Sequence, residues 1–161
     1  MSSDGFDYKE FKEYAEKLGK TEADFQTWLK TFLLKEAQKV VRNAKKRQRA
    51  VGAIDTGAMI NSWYIGKQQI TLKETGGTSK SGKSRVSIDP ENSTIADIKV
   101  VGSYLEVIIG NPMEYSSFIE YGQRSYEGKY ILTISVALVY SALPSDFERD
   151  FVKFLKDKGV Q

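Results

Sequence analysis

Two stretches of this sequence have the residue types and spacing of chemical machinery. Gly77 to Ser84 reads GTSKSGKS and satisfies G-x-x-x-x-G-K-[ST]. Such a loop cradles phosphates when a buried strand delivers its glycines and a helix N-terminus follows. The flanking residues predict otherwise. Lys73-Glu74-Thr75 is polar, RVSIDP alternates like a strand, and Pro90 arrives six residues after Ser84. No apolar run ending in Asp supplies a Walker B. The second stretch, Ala53 to Ala58, reads AIDTGA. Two facing Asp-Thr-Gly turns share one proton in a carboxylate dyad that performs acid–base hydrolysis. The later Ile108-Ile109-Gly110 suits that arrangement, but the chain has a single Asp-Thr-Gly, and a long basic helix precedes it. The simpler reading is that Asp55 or Thr56 caps a short helix through Ser62.

Other catalytic chemistry is scarce. The 161 residues include no cysteine and no histidine. Disulfides, thiol nucleophiles, imidazole bases and imidazole metal ligands are therefore excluded. We expect no catalytic residues, no cofactor and no metal. The absence of disulfides is compatible with a reducing cytoplasm. Hydrophobic residues make up 40% and charged residues 28%, a balance suited to one domain over 1–161. No uninterrupted apolar run reaches the ~18 residues of a membrane span. The polar, acidic opening MSSDGFDYKE is not expected to be a secretory signal.

The elements that position these motifs follow from periodicity. Asp7 with Glu10 forms a capping box for a short helix whose face is Phe11, Tyr14, Ala15 and Leu18, ending at Gly19. A longer helix starts near Thr21. Phe25, Trp28, Leu29, Phe32, Leu33, Ala37, Val40, Val41 and Ala44 recur at helical spacing, with no breaker before Gly52. Ser62–Leu72 is rich in strand formers, with a bulge expected at Gly66. Trp63 should anchor this strand on the long helix near Trp28 or Phe32. Residues 73–94 read as a long, flexible polar loop in which only Val86 and Ile88 have apolar surface to bury. Residues 95–101 and 104–109 predict a hairpin through Gly102-Ser103, with Leu105, Val107 and Ile109 on one face. Asn111-Pro112, with Glu114, predicts a helix start, and Gly122 its end. Tyr130–Leu143 favours helix, Pro144 interrupts it, and Ser145 with Glu148 caps a final helix ending at Gly159. The fold class is α+β: a small antiparallel sheet of about three to four strands on a long N-terminal helix and C-terminal helices.

Charge offers a further possibility. Lys39, Arg42, Lys45, Lys46, Arg47 and Arg49 fall within eleven residues without one acid. They could contact phosphates, or simply complement the helix dipole in a solvated last turn. No aromatic or glycine interleaving accompanies them, which favours the second reading.

Asp55-Thr56-Gly57-Ala58 running into Asn61-Ser62-Trp63-Tyr64 resembles a D-T-G-x-L-x-x-S-W pattern, and Gly110 to Arg124 resembles N-x-x-x-Y-A-x-x-x-E-x-G-x-R. Both patterns belong to the tail-completion or neck (head–tail joining) proteins of long-tailed bacteriophages and related prophage elements. The opening FDYKEFKEYAEKL and closing PSDFERDFVKFLK are also similar to that group. The resemblance implies a non-enzymatic virion protein, assembled in the host cytoplasm, that forms a ring, commonly sixfold, in the neck or tail. Its partners would be further copies, other neck and tail proteins, and DNA passing through the lumen without specific binding; no membrane is implied. Asp55, Thr56, Gly57 and Trp63 would be structural anchors. Val86, Ile88, Glu120, Tyr121 and Arg124 would be interface candidates, unless Tyr121 packs inward and Glu120 pairs locally with Arg124. Residues 73–94 would order on assembly by pairing with a neighbouring subunit's sheet edge. The alternatives are an enzyme, either a P-loop nucleotide binder or a retroviral-type aspartic protease, and a small nucleic-acid-binding module.

Overall fold

The computed structural model of the chain describes residues 9, 12, 13, 16, 22–67, 69–93, 98–101 and 104–158. Lys9, Lys12, Glu13 and Glu16 have helical backbone, while the expected cap and apolar face of that first helix lie outside the described residues. Two long helices dominate: α1, Glu22–Ala50, and α4, Ile131–Asp157. Between them come a single turn, α2 (Ala58–Asn61), and a short helix, α3 (Ser116–Tyr121).

Each long helix buries a row of every fourth residue. In α4 the row is Ile131, Ser135, Val139, half-buried Leu143, Phe147, Phe151 and Leu155; in α1 it is Phe32, Glu36, Val40, Ala44 and Gln48. Ridges of this i±4 kind are the ones that interlock between packed helices. The helices run antiparallel. Phe25, Leu29 and Phe32 meet Phe147, Phe151, Phe154 and Leu155, with Trp28 partly buried among them. Trp28 lies 5.3 Å from the rings of both Phe147 and Phe154. Ion pairs run along one side of this seam: Lys35–Asp150 at 2.5 Å, Lys39–Asp146 at 2.5 Å and Arg149–Asp146 at 2.7 Å. The hydrogen bond from Lys39 holds the Asp146 carboxyl below the usual carboxylate range. Buried Glu36 lies 2.7 Å from the Lys39 ammonium, but its oxygens accept no well-oriented hydrogen bond.

α4 corrects the expectation of a break at Pro144. The helix runs straight through that residue. Pro144 withholds an N–H from the Tyr140 carbonyl, but it sits on the exposed side, where water can reach the freed group. Ser145 does not cap a new helix; its hydroxyl donates to the Ala142 carbonyl at 2.9 Å. Gly159 lies outside the described residues.

The fold is mixed α+β as expected, with the β-structure among the described residues in four separate antiparallel ribbons. β1 (Tyr64–Ile65) pairs with β6 (Ile109–Gly110). β2 (Leu72–Thr78) pairs with β3 (Ser84–Ile88), β4 (Lys99–Val101) with β5 (Tyr104–Glu106), and β7 (Gly122–Gln123) with β8 (Tyr126–Glu127). The expected strand over 62–72 stops at Gly66, whose φ of 64° turns the chain instead of bulging it. The pairing of β4 with β5 has the expected hairpin partners, and Gly102-Ser103 itself lies outside the described residues. Leu105, Val107 and Ile109 alternate half-buried against exposed Glu106 and Ile108, as their spacing predicted. The polar stretch 73–94 is no structureless loop. It forms the β2–β3 hairpin and a 3-10 turn, Pro90–Asn92, capped by Asp89.

Candidate functional site

The Asp-Thr-Gly turn is where that hairpin is held. Both Asp55 carboxylate oxygens accept from Ser81 at the hairpin tip, one from its N–H at 3.0 Å and one from its hydroxyl. The Ser81 hydroxyl bond is the main reason the Asp55 carboxyl is held below its usual range. The Thr56 carbonyl accepts from the Val86 N–H at 2.9 Å, and Asn61 Nδ2 donates back to the Val86 carbonyl at 3.0 Å. Gly57 has φ 89°, and a Cβ there would lie 2.8 Å from the Val86 carbonyl oxygen. Only glycine combines that backbone with so close an approach. Asp55 does not cap α2. The Thr56 hydroxyl accepts from Ala58 N at 3.1 Å instead.

This arrangement differs from the context that either chemical motif calls for. The residues of GTSKSGKS form a hairpin turn, with strand β3 following where a phosphate loop needs a helix. Four of their amides have partners: Ser79 N donates to Lys83 O, Gly82 N to Ser79 O, Lys83 N to the Ser79 hydroxyl and Ser81 N to Asp55. Both Asp55 oxygens accept from Ser81, whereas a proteolytic dyad holds its shared proton between two carboxylates.

Trp63 is buried, but at the other end of α1 from the expected Trp28 and Phe32. It packs with Ala44, Met59 and Ile131. Its indole N–H donates to Gln48 Oε1 at 3.1 Å, and Gln48 Nε2 donates to the Ala53 carbonyl at 3.0 Å. A buried indole N–H needs such a partner, and the apolar Trp28 cluster has none to offer. Gln48 went unnoticed in the sequence, although it continues the buried every-fourth row of α1. Asn111 is another unexpected anchor. Its amide donates to the Met59 carbonyl at 2.7 Å and its Oδ1 accepts from Met113 N at 3.2 Å. It shapes a turn before α3 and does not cap that helix, whose N-cap is Tyr115.

Glu120 and Tyr121 exchange the roles considered for them. Glu120 is buried and reaches the start of α4, not Arg124. Its carboxylate accepts from Leu132 N at 2.8 Å, Thr133 N at 2.8 Å and the Thr133 hydroxyl at 2.7 Å. A carboxylate on the free amides of a helix N-terminus answers both their hydrogen bonds and the helix dipole. Gly122 then turns the chain at φ 82°; a Cβ there would fall 2.5 Å from the Tyr126 carbonyl. Tyr121 points outward at 69% exposure, and Arg124 is exposed. Tyr115, the N-cap of α3, and Phe118 and Tyr121 within it are all exposed. Beside them an open recess of about 570 Å³ is lined by the 52–60 segment, Lys83, Tyr115 and Ile119. Val86 and Ile88 are half-buried within the docked hairpin.

The basic end of α1 divides by role. Lys39 belongs to the ion pairs with α4, and the Arg47 guanidinium donates to the Lys129 carbonyl from Nε at 3.0 Å and Nη2 at 2.8 Å. Arg42, Lys46 and Arg49 remain exposed.

No curated protein and no solved structure matches this chain. Residues 9–122 match the HK97-gp10-like family, described as "Bacteriophage HK97-gp10, putative tail-component". The matched span contains the Asp-Thr-Gly hub, the hairpin it holds and the Glu120 cap, and the chain belongs to this family of phage tail components.

Proposed function

We propose that this chain is a single-domain, non-enzymatic structural subunit that forms a ring, commonly sixfold, where the tail joins the head. The reading rests on one observation above all. Surface normally left to water is here strongly apolar: Tyr115, Phe118 and Tyr121 on α3, with Tyr126, Tyr130, Leu138 and Tyr140, are each more than two-fifths exposed. Exposed aromatic patches of this kind mark protein–protein contacts. Tyr121 and Arg124 are the interface residues we favour, with the β2–β3 hairpin, in which Val86 and Ile88 are half-buried, as a second contact. Asp55, Thr56, Gly57, Trp63 and Glu120 hold the body that presents them.

On this reading the subunit is made in the host cytoplasm and ends in the virion, in contact with other neck and tail proteins. DNA passes the lumen without being gripped. The exposed Arg42, Lys46 and Arg49 supply weak, salt-sensitive attraction to phosphates. Native mass measurement of the purified chain, together with electron microscopy of particles carrying a labelled subunit, tests the reading. A closed ring located between head and tail is expected. A monomer at all concentrations, or a label distributed elsewhere in the particle, overturns it.

A further inference from the structure

The cations of α1 are treated in two ways. Lys35 and Lys39 each face a carboxylate of α4. Beyond Lys39, five cations follow with no acid before Asp55. Arg47 is engaged by the Lys129 carbonyl, but among the described residues no carboxylate pairs with Arg42, Lys45, Lys46 or Arg49. Like charges three and four residues apart oppose each other on a helix. Burial and the neighbouring Arg49 push the Lys45 ammonium below its usual range. The helix dipole favours cations within the last turn, which holds Arg47 and Arg49. It leaves Arg42, Lys45 and Lys46 unaccounted for.

The fold gathers more charge at this end, with the aromatic rings that the linear sequence lacks beside these cations. Arg47 ties down the corner before α4, where Lys129 adjoins Tyr126 and Tyr130, 48% and 44% exposed. Lys129 Nζ lies 5.4 Å from the centroid of the Tyr126 ring. Tyr130 has φ 47°, a conformation that bulky side chains rarely adopt. Gln48 ties Ala53 to the same helix end, and two residues on, Asp55 holds the hairpin tip with exposed Lys80 and Lys83. Asp55 itself is occupied by Ser81, and Glu127 is the exposed acid of the corner.

Building on the ring reading above, we propose that this end of the molecule docks on the phosphate backbone of double-stranded DNA. Arg42, Lys46 and Arg49 recur at intervals of four and three on the exposed side of α1. They span about 10 Å, at about 1.5 Å per residue. The phosphates of one strand advance about 3.4 Å each along the duplex, so the stripe covers a run of about four. Lys80, Lys83 and Lys129 add charge beside it, and tyrosine hydroxyls donate to phosphate oxygens in such interfaces. Protein–protein interfaces are depleted of charge at their centre, whereas here the cations are the centre. Tyr115, Phe118 and Tyr121 on α3 remain for the contact between subunits, and the basic end turns toward the lumen.

The test titrates a short fluorescein-labelled duplex of mixed sequence with the full chain, following anisotropy between about 50 and 200 mM salt. Micromolar binding at the lowest salt is expected, with log K falling against log salt at a slope of about −4. Arg42→Ala/Arg49→Ala should make that slope shallower by about two and weaken low-salt binding about tenfold or more, while Arg42→Lys/Arg49→Lys keeps the slope. Lys153→Ala/Lys156→Ala removes two exposed cations at the aromatic end of α4 and should change neither. An equal loss in that control, or no duplex binding at the lowest salt, overturns the proposal. So does equally tight binding of polyglutamate or of phosphatidylserine vesicles at matched charge, the acidic-protein and membrane outcomes. Native mass of the same samples separates the two readings. A ring that ignores duplex keeps the ring and removes the DNA surface. A chain that never assembles, yet binds duplex through Arg42 and Arg49, keeps the surface and removes the ring.

Discussion

The two ends of the α1–α4 pair are built on different principles. At one end Phe25, Trp28, Leu29 and Phe32 interleave with Phe147, Phe151, Phe154 and Leu155 in an almost wholly apolar cluster. At the other, Ala44, Met59, Trp63 and Ile131 form a smaller core surrounded by polar side chains that bond to backbone: Gln48, Asn61, Asn111 and Glu120. The first end is held by area removed from water and tolerates imprecise geometry. The second is held by oriented hydrogen bonds between distant segments, and it is this end that contains the Asp-Thr-Gly turn.

That contrast is broken most severely at the aromatic end. Phe147→Ala should cost about 3–5 kcal/mol, through lost transfer energy and the cavity left behind. Denaturant unfolding should show the midpoint falling with little change in slope. Glu120→Ala tests the polar end. It leaves two amides at the start of α4 without their acceptor, for a loss of about 2–3 kcal/mol read as a lowered Tm. Glu120→Gln should recover part of it, since one amide oxygen can still accept.

These two sites also show what was legible. Phe147 and its partners were plain in the sequence, because helical periodicity of large apolar residues is a local signal. The long α1, the helical reading of 130–143 and the register face of Leu105, Val107 and Ile109 were read in the same way. The failures share a cause. Spacing points Trp63 to the wrong end of α1, Asn111 to a helix cap and Glu120 to a subunit interface. In each case the true partner is a backbone group or a side chain from a remote segment, which spacing along the chain does not reveal. The hairpin over 72–88 was missed because its residues are polar on both faces. It is stabilised by Asp55, Thr56 and Asn61 rather than by its own core.

A milder change sharpens the comparison at the hub. Ser81→Ala removes the hydroxyl that holds the Asp55 carboxylate, so the hairpin should loosen locally without global unfolding. Amide exchange at Val86 should accelerate while that of Ala44 stays unchanged; equal acceleration at both would show that hub and helices unfold together. The smallest effect belongs to Asp146. Its carboxyl titrates below the usual range because of Lys39, so its contribution is complete above about pH 4 and fades as pH falls through the lowered value. Asp146→Asn should therefore cost less than about 1 kcal/mol at pH 7 and flatten the acid limb of the stability curve. An acid limb as steep as wild type would assign it to other carboxylates.

The chain separations of these contacts bear on how the molecule acquires its shape. Asp55 meets Ser81 across 26 residues, whereas Lys35 meets Asp150 across 115. Closing the longer loop costs about 1.3 kcal/mol more in chain entropy. The hub with its hairpin can therefore form early, from neighbours in sequence. α1, although emerging first from the ribosome, waits for α4 before its Phe25, Leu29 and Phe32 are covered. Until residue 155 has been synthesised, that row is a sticky surface in a crowded cell, and a chain stalled or truncated before α4 should be the form that chaperones bind and proteases clear.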